Sequence, residues 1–548
     1  MRCFYLIMLC LSLVGCRSVS TSQIDEPRSA PAYDGYQSAI AAAADDEAPS
    51  DDNDAPTSEL ITLVSQTADA TEAIEGETPA DPFVQAIVEQ SAPAISWESV
   101  VASVHQTFPL VQAVFQERGI ADGNQMAAWG EFDTKLKAAS ENGPLGFYET
   151  YRNRAGFTNP LYGGGEVFGG YRNGGGSFQP WYLERETNHG GEFKGGVRVP
   201  LIRNRDIDAR RAALWRATYD QQIADPTIRL GLILFSRDAG LAYWKWVASG
   251  QKYRLGEQWL ALAQDRHVGI ERKVELEALG KPDETDNLRA IAKREAKLAD
   301  ALRVLQMSAA KLSLFWRDTA GQPIVPSIDD LPDFPRLRQI DDAQLDSDIV
   351  LAQQNRPELT TLNLQLQQLR VDYSEACNMT LPALDAQLVG SQDMGAPTSS
   401  KRDKSEFELE AGLFFDVPLQ RRKGRGKMFA IQAKMSQVNA KQRIVRDKIA
   451  VDVRAAYAAL KLSRREALKA QKARDLALEM ADIERRRFRL GDSDLLYVVL
   501  REQYALEAAE ELVSANYNHF VALTEYAAAL TIDRPTINML LEDNEPAE

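Results

Sequence analysis

Glu406-Phe407-Glu408-Leu409-Glu410-Ala411-Gly412-Leu413 changes character at every residue. A period of two is that of an extended strand, so Phe407, Leu409, Ala411 and Leu413 share one face while Glu406, Glu408 and Glu410 share the other. The same alternation runs through Trp129-Gly130-Glu131-Phe132-Asp133-Thr134-Lys135-Leu136-Lys137 and, more weakly, through Glu192 to Val199 and Leu384 to Leu388. Four two-faced strands per chain are expected. Such strands line either a soluble sandwich or a membrane barrel, and four of them separated by long helical stretches make a poor sandwich. In lipid a sheet has to close, because an unpaired edge cannot be solvated. About eight strands are the practical minimum for closure, so chains would have to pool theirs. Three copies would give twelve. Phe132, Leu136, Phe407, Leu409 and Leu413 would then face lipid, and Glu131, Asp133, Glu406, Glu408 and Glu410 would face a wet lumen.

Outward from these strands the body reads as a duplication. Val199-Pro200-Leu201 is answered by Val417-Pro418-Leu419, Ala242-Tyr243 by Ala456-Tyr457, and Leu279-Gly280 by Leu490-Gly491, with offsets of 218, 214 and 211. Pro109 answers Pro357 at an offset of 248, so roughly thirty extra residues precede Val199 in the first copy. The Gly- and aromatic-rich segment 147–182, with Tyr151, Phe157, Tyr162, Phe168, Tyr171, Phe178 and Trp181, holds part of them and is expected either to extend the strands or to form an external loop. Each copy opens on a helix with proline in its first turn, as in Asn355-Arg356-Pro357-Glu358-Leu359, where the missing N–H costs nothing. Each closes on two long helical stretches, expected over about 206–278 and 284–318 and over about 427–489 and 495–530, antiparallel and turning at Gly280 and Gly491.

The chain has 548 residues and a formal net charge of -16, and the 16 carboxylates between Arg28 and Arg118, a stretch without Lys or Arg, account for all of it. The acidity belongs to an arm, and the balanced body offers no basic surface for a phosphate backbone, so no nucleic acid is expected as partner. Ala-, Asp-, Ser- and Pro-rich composition over 16–96 suits a disordered tether. The charged start and apolar run to Gly15 read as an export signal too short to span a bilayer. It ends Leu13-Val14-Gly15-Cys16, which resembles a bacterial lipobox and implies lipidation of Cys16; Arg17, where a retained lipoprotein has aspartate, points to the outer membrane. No second cysteine then remains for Cys377 to form a disulfide with, and it is read as a buried structural thiol.

The openings at Asn355 to Leu359, Leu381-Pro382-Ala383-Leu384 leading into a strand, Val417-Pro418-Leu419 closing one, Asp452-Val453-Arg454-Ala455-Ala456-Tyr457 in the long helix, and Arg489-Leu490-Gly491-Asp492-Ser493 at the tip resemble the TolC-type outer-membrane efflux proteins. With their first-copy counterparts these cover about 97–531. The resemblance implies a mainly α fold with a barrel contribution: a homotrimer with a twelve-stranded barrel in outer-membrane lipid and a periplasmic tunnel of twelve helices. Its tips would meet a periplasmic adaptor coupled to an inner-membrane transporter, in an efflux or type I secretion system. It divides the chain into signal 1–15, tether 16–96, first repeat 97–320, linker 321–341, second repeat 342–531 and tail 532–548. Gly280, Lys281, Gly491, Asp492 and Ser493 fall at adaptor contacts, and Asp286 and Tyr497 at a gate that family members build from acidic residues. The rival reading is a non-conducting coiled-coil scaffold or adaptor lipoprotein in the periplasm.

An enzyme lacks parts here. His105, His189, His267 and His519 are scattered, there is no Cys-x-x-Cys, and the glycine runs at 163–165 and 174–176 are not followed by the Lys of a phosphate loop. No catalytic residue, metal site or cofactor is expected. The basic clusters Arg203, Arg205, Arg210, Arg211 and Arg421, Arg422, Lys423, Arg425, Lys427 stand where strand meets helix and suit either anionic headgroups or a generic solvated charge run.

Overall fold

A computed structural model describes residues 94–178, 185–337, 344–400, 404 and 406–532. The export signal, Cys16, nearly all of the acidic tether, Trp181 and the tail beyond 532 lie outside these residues. Helix α1 (Trp97–Thr107), whose first turn is capped by Ser96 accepting from the Ser99 N–H at 3.1 Å, leads into α2 (Pro109–Trp129). Strands β1 (Lys135–Gly143), β2 (Thr150–Pro160), β3 (Glu166–Gly176) and β4 (Glu192–Pro200) follow. Then come α3 (Ala209–Glu275) and α4 (Lys281–Leu312), the first hairpin. The second half repeats the order with α5 (Leu345–Asn355), α6 (Pro357–Asn378), β5 (Ala383–Asp393), β6 (Glu408–Asp416), α7 (Arg422–Arg489) and α8 (Leu495–Ala529). Both α2 and α6 begin on the expected prolines. The longest helices, α3 with 67 residues and α7 with 68, extend about 100 Å each.

Four strands per chain was an undercount. The strands number six among the described residues and form one antiparallel sheet in the order β1-β2-β3-β4-β5-β6. The additional pair, β2 and β3, is built from the Gly- and aromatic-rich segment. Its glycines interrupt the apolar alternation that marks the other strands, so side-chain pattern conceals what backbone pairing creates. A twelve-strand total, which assumed four per chain, loses its basis. The turn between β2 and β3 needs Gly165, which sits at φ +87 with any Cβ only 2.2 Å from the Arg198 carbonyl oxygen.

The first strand also starts later than expected. Trp129 closes α2, Gly130–Phe132 form one 3₁₀ turn, and Asp133 caps it. The rings of Trp129 and Phe132 pack on Tyr162, with centroids 5.9 and 5.7 Å away, and hold that turn closed. Glu131 and Asp133 therefore precede the sheet, as Glu406 precedes β6.

The main core lies where the two hairpins meet α1, α5 and the segment around Phe334. Trp244 of α3 stacks on Phe520 of α8 at 4.3 Å between centroids, with Tyr243 against its edge at 4.7 Å. Tyr243 donates to the Ile95 carbonyl at 3.0 Å. Tyr457, its repeat counterpart, lies in the same core. Next to it His519 is buried between α7 and α8, 3.4 Å from the Ser463 hydroxyl, and burial pulls its pKa from 6.5 down to about 4. The unfolded chain binds that proton more readily, so stability is complete above pH 6.5 and is lost as pH falls towards 4, by on the order of 3 kcal/mol. His519→Leu is expected to flatten this dependence, checked by melting temperatures of both proteins at pH 7 and pH 4; an equal acid-induced drop in both would refute it.

Candidate functional site

The sheet is two-faced along all six strands. Register places Leu136, Phe157, Gly169, Gly195, Gly390 and Leu409 in one row across it, and the residues two positions away on each strand share that side. That face carries Tyr151, Val167, Tyr171, Phe193, Val197, Val199, Leu384, Leu388, Leu413 and Phe415, and it is open: Leu136 is 84% and Leu413 72% exposed. Where the row narrows to glycine, rings from neighbouring strands lie over the backbone, Phe157 above Gly169 and Phe407 above Gly390. An apolar sheet face of this extent exposed to water would be an association or membrane surface. Strands of 9 or 11 residues match the length needed to cross a bilayer obliquely.

The opposite face is charged. Glu408 and Glu410, expected in the lumen, lie on it, but so does a basic set that sequence reasoning missed: Lys135, Lys137, Arg152, Arg154, Arg172, Lys194 and Arg198. Arg154 stands directly opposite Arg172, and the repulsion is relieved by Glu141 at 2.6 Å from Arg154 and by Glu192, which bonds Arg172. At the end away from the helices Arg185, on the β3–β4 connection, folds onto this face between Asp393 at 3.3 Å and Glu408 at 3.1 Å. The basic residues separate from the acids of β5 and β6 (Asp385, Asp393, Glu408, Glu410, Asp416), so the face is mixed, not an acidic ring. Lys135, Lys137, Lys194 and Arg198 stand in stretches whose alternation was legible, whereas Arg152, Arg154 and Arg172 needed β2 and β3 to be assigned as strands.

At the turn from the sheet into the first hairpin, one member of the expected basic clusters has another use. Arg211 is 5% exposed and donates to the carbonyls of Asn204 at 2.6 Å and Arg205 at 2.8 Å. It closes the turn from β4 into α3 and is not a headgroup ligand. Asn378, at the end of α6, accepts from the Asn204 N–H at 2.7 Å and ties the two halves at the same level.

At the far end of the helices lie two tips. Gly491 has φ +79 and ends α7 as a left-handed cap, with the Asp492 N–H donating to the Arg487 carbonyl at 2.9 Å. Gly280 is instead the N-cap of α4, and the left-handed residue of its turn is Glu277 at φ +57. The Asp283 carboxylate accepts from the Gly280 N–H at 3.1 Å, and Lys281 pairs with Glu284 at 2.9 Å. Asp492 and Ser493 are engaged within their own tip, Asp492 by Arg487 at 3.1 Å and Ser493 by the buried Glu484. Asp286 pairs with Arg289 at 2.7 Å, and Tyr497 is exposed on α8.

Behind the tips a buried charge cluster joins all four long helices. Glu502 of α8, 1% exposed, bonds Arg266 of α3 and Arg294 of α4, the latter at 3.0 Å, with Arg485 of α7 at 3.9 Å. Arg266 also donates to the fully buried Asn287 at 3.0 Å, and Arg294 to the Trp259 carbonyl at 2.8 Å. Burial pushes the Arg294 guanidinium below its ordinary value while Glu502 pulls it back. No sequence signal distinguished these residues, because a charge within a long helix reads as solvated until packing is known.

The helices leave apolar surface uncovered as well. Phe429, Ile444, Val451 and Leu462 of α7 are all more than half exposed and recur at spacings that keep them near one stripe. No helix among the described residues is long and apolar enough to cross a membrane, and no cluster of three or more metal-ligating residues occurs among them.

No protein-family profile and no curated protein sequence matches the chain. Solved structures do. The CmeC outer membrane channel of Campylobacter jejuni superposes with a TM-score of 0.55 at 12% identity, covering 84% of this chain and 94% of its own. The outer membrane protein VceC of Vibrio cholerae gives 0.57 at 13% identity, over 79% and 96%. The open state of the MtrE outer membrane channel of Neisseria gonorrhoeae gives 0.57 at 13% identity, over 79% and 88%. The fold is that of the TolC-type outer-membrane channels. Within the TolC-type fold the strand-to-helix junctions, the hairpin tips and the two-faced sheet of this chain occupy the positions described above.

Proposed function

We propose that the chain is the exit duct of a tripartite efflux or type I secretion system: a passive homotrimeric channel in the outer membrane, joined through a periplasmic adaptor to an inner-membrane pump. The observation that carries this is the six-stranded sheet, apolar on one face, charged on the other and open at both edges, at one end of helical hairpins about 100 Å long. A scaffold without a pore has no use for such a sheet. The apolar face meets lipid and the charged face, including Glu408 and Glu410, lines the lumen, with Glu131, Asp133 and Glu406 at its rims. Cys16 carries the lipid anchor.

The tips at Gly280, Lys281, Gly491, Asp492 and Ser493 form the adaptor surface, and Asp286 and Tyr497 stand at the closed end of the tunnel. Energy comes from the pump, so no catalytic residue is needed. Planar-bilayer recording of detergent-purified protein, with particle mass from the same sample, tests the reading. Discrete conductance steps from a trimer are expected; a monomer that never conducts, even with the tips loosened by substitution, would establish the scaffold instead.

A further inference from the structure

The sheet of one chain has two free edges, β1 and β6, and they are complementary. From the pairing order, β1 runs away from the helices and β6 runs back towards them, so β1 of one copy meets β6 of the next antiparallel, with apolar faces on the same side. Both edge strands are exposed along nearly their whole length, whereas β3 between its neighbours is largely half-buried. On the charged face β1 presents Lys135 and Lys137 near its start, with Glu141 further along already paired with Arg154 of its own sheet, and β6 presents Glu410 and Asp416, all exposed. Lys135 begins β1 and Asp416 ends β6, both at the end nearest the helices. Six strands are too few to close on themselves.

The hairpin β2–β3 cannot be set aside as a loop. It lies between β1 and β4, which do not pair with each other, so removing it from the wall would break the β1–β2 and β3–β4 ladders together. It also obeys the facing rule of the other strands, with Tyr151, Phe157, Val167 and Tyr171 on the apolar side and Arg152, Arg154 and Arg172 on the charged side.

We infer that β2–β3 is part of the membrane wall and that the β1 and β6 edges bind further copies of this chain, so that three copies close an eighteen-stranded barrel. This rests on the trimeric duct proposed above. Diameter grows roughly in proportion to strand number, so the barrel is about 1.5-fold wider than one of twelve strands, with about twice the cross-section. Strand counts of this order leave an open aqueous channel, so the duct admits correspondingly bulkier cargo, and Arg152, Arg154 and Arg172 of each chain line the added wall.

Electron cryomicroscopy of the full-length protein in detergent, with particle mass, tests this. Three chains and eighteen strands are expected, with β1 against the neighbour's β6. Three chains around twelve strands, with β2 and β3 outside the wall, would overturn the inference and leave the trimeric duct standing. Two chains closing twelve strands, or a monomer, would overturn the trimer itself. Lys135→Glu with Lys137→Glu is expected to lower the trimer-to-monomer ratio by at least about tenfold, and adding Glu410→Lys with Asp416→Lys to restore it. A trimer indifferent to the reversal would refute the assigned joint.

Discussion

Replacing Glu502 with alanine is expected to cost about 3–5 kcal/mol and to loosen both helix tips, because it leaves the buried guanidiniums of Arg266 and Arg294 without their counter-charge. Among the described residues, both of these arginines, one from each helix of the first hairpin, pair with Glu502 of the second hairpin. Its loss is felt by all four helices at once. Glu502→Gln keeps acceptor capacity but not charge, and is expected to fall between wild type and alanine. Melting temperature reports the global cost, and the rate of protease cleavage near 276–284 and 490–494 reports the local one. Wild-type values on both for Glu502→Ala would show that the cluster is not what holds the tips. Should tip cleavage rise with the melting temperature unchanged, the hairpins unfold independently of the core.

Trp244→Ala is expected to cost about 3–5 kcal/mol by leaving a cavity where the two hairpins join. Trp244 is 2% exposed and contacts aromatic rings from three parts of the chain, Trp97 of α1, Phe334 and Phe520 of α8. Other contacts, such as Tyr243 to the Ile95 carbonyl and Arg254 to the Ile328 carbonyl, keep these segments in place on α3, so the space left by the ring is not readily filled by collapse. Trp244→Phe preserves stacking on Phe520 and is expected to cost clearly less. Denaturant midpoints of the three proteins in one detergent decide the matter; equal midpoints for phenylalanine and alanine would mean that stacking contributes little beyond volume.

Much of the architecture was legible because it rests on local periodicity. Pro109 and Pro357 start helices wherever they stand, since a fixed φ and a missing donor suit a first turn. Alternation in 407–413 survives folding because successive side chains on a strand must point to opposite faces. The repeat offsets placed both hairpins and both tips, and Gly491 took the left-handed cap its position required. The resemblance in motifs then agreed with the fold.

Other features were decided in three dimensions. Strands β2 and β3 hold their place through backbone bonds to β1 and β4, and glycines such as Gly156, Gly169 and Gly170 carry no side-chain pattern by which to be read; only pairing with neighbours made them strands. Trp129 to Asp133 has a strand's alternation yet forms helix end and turn, because rings of Trp129 and Phe132 find Tyr162, which is distant in sequence. Arg211 and Glu502 look like solvated charges on long helices until packing removes the water around them. The sequence by itself determined the helices, the duplication and the two-faced character of the sheet, all of which follow from near-neighbour spacing; the number of strands, the mixed charge of the polar face and the buried link behind the tips depend on residues far apart in the chain, whose meeting only tertiary structure decides.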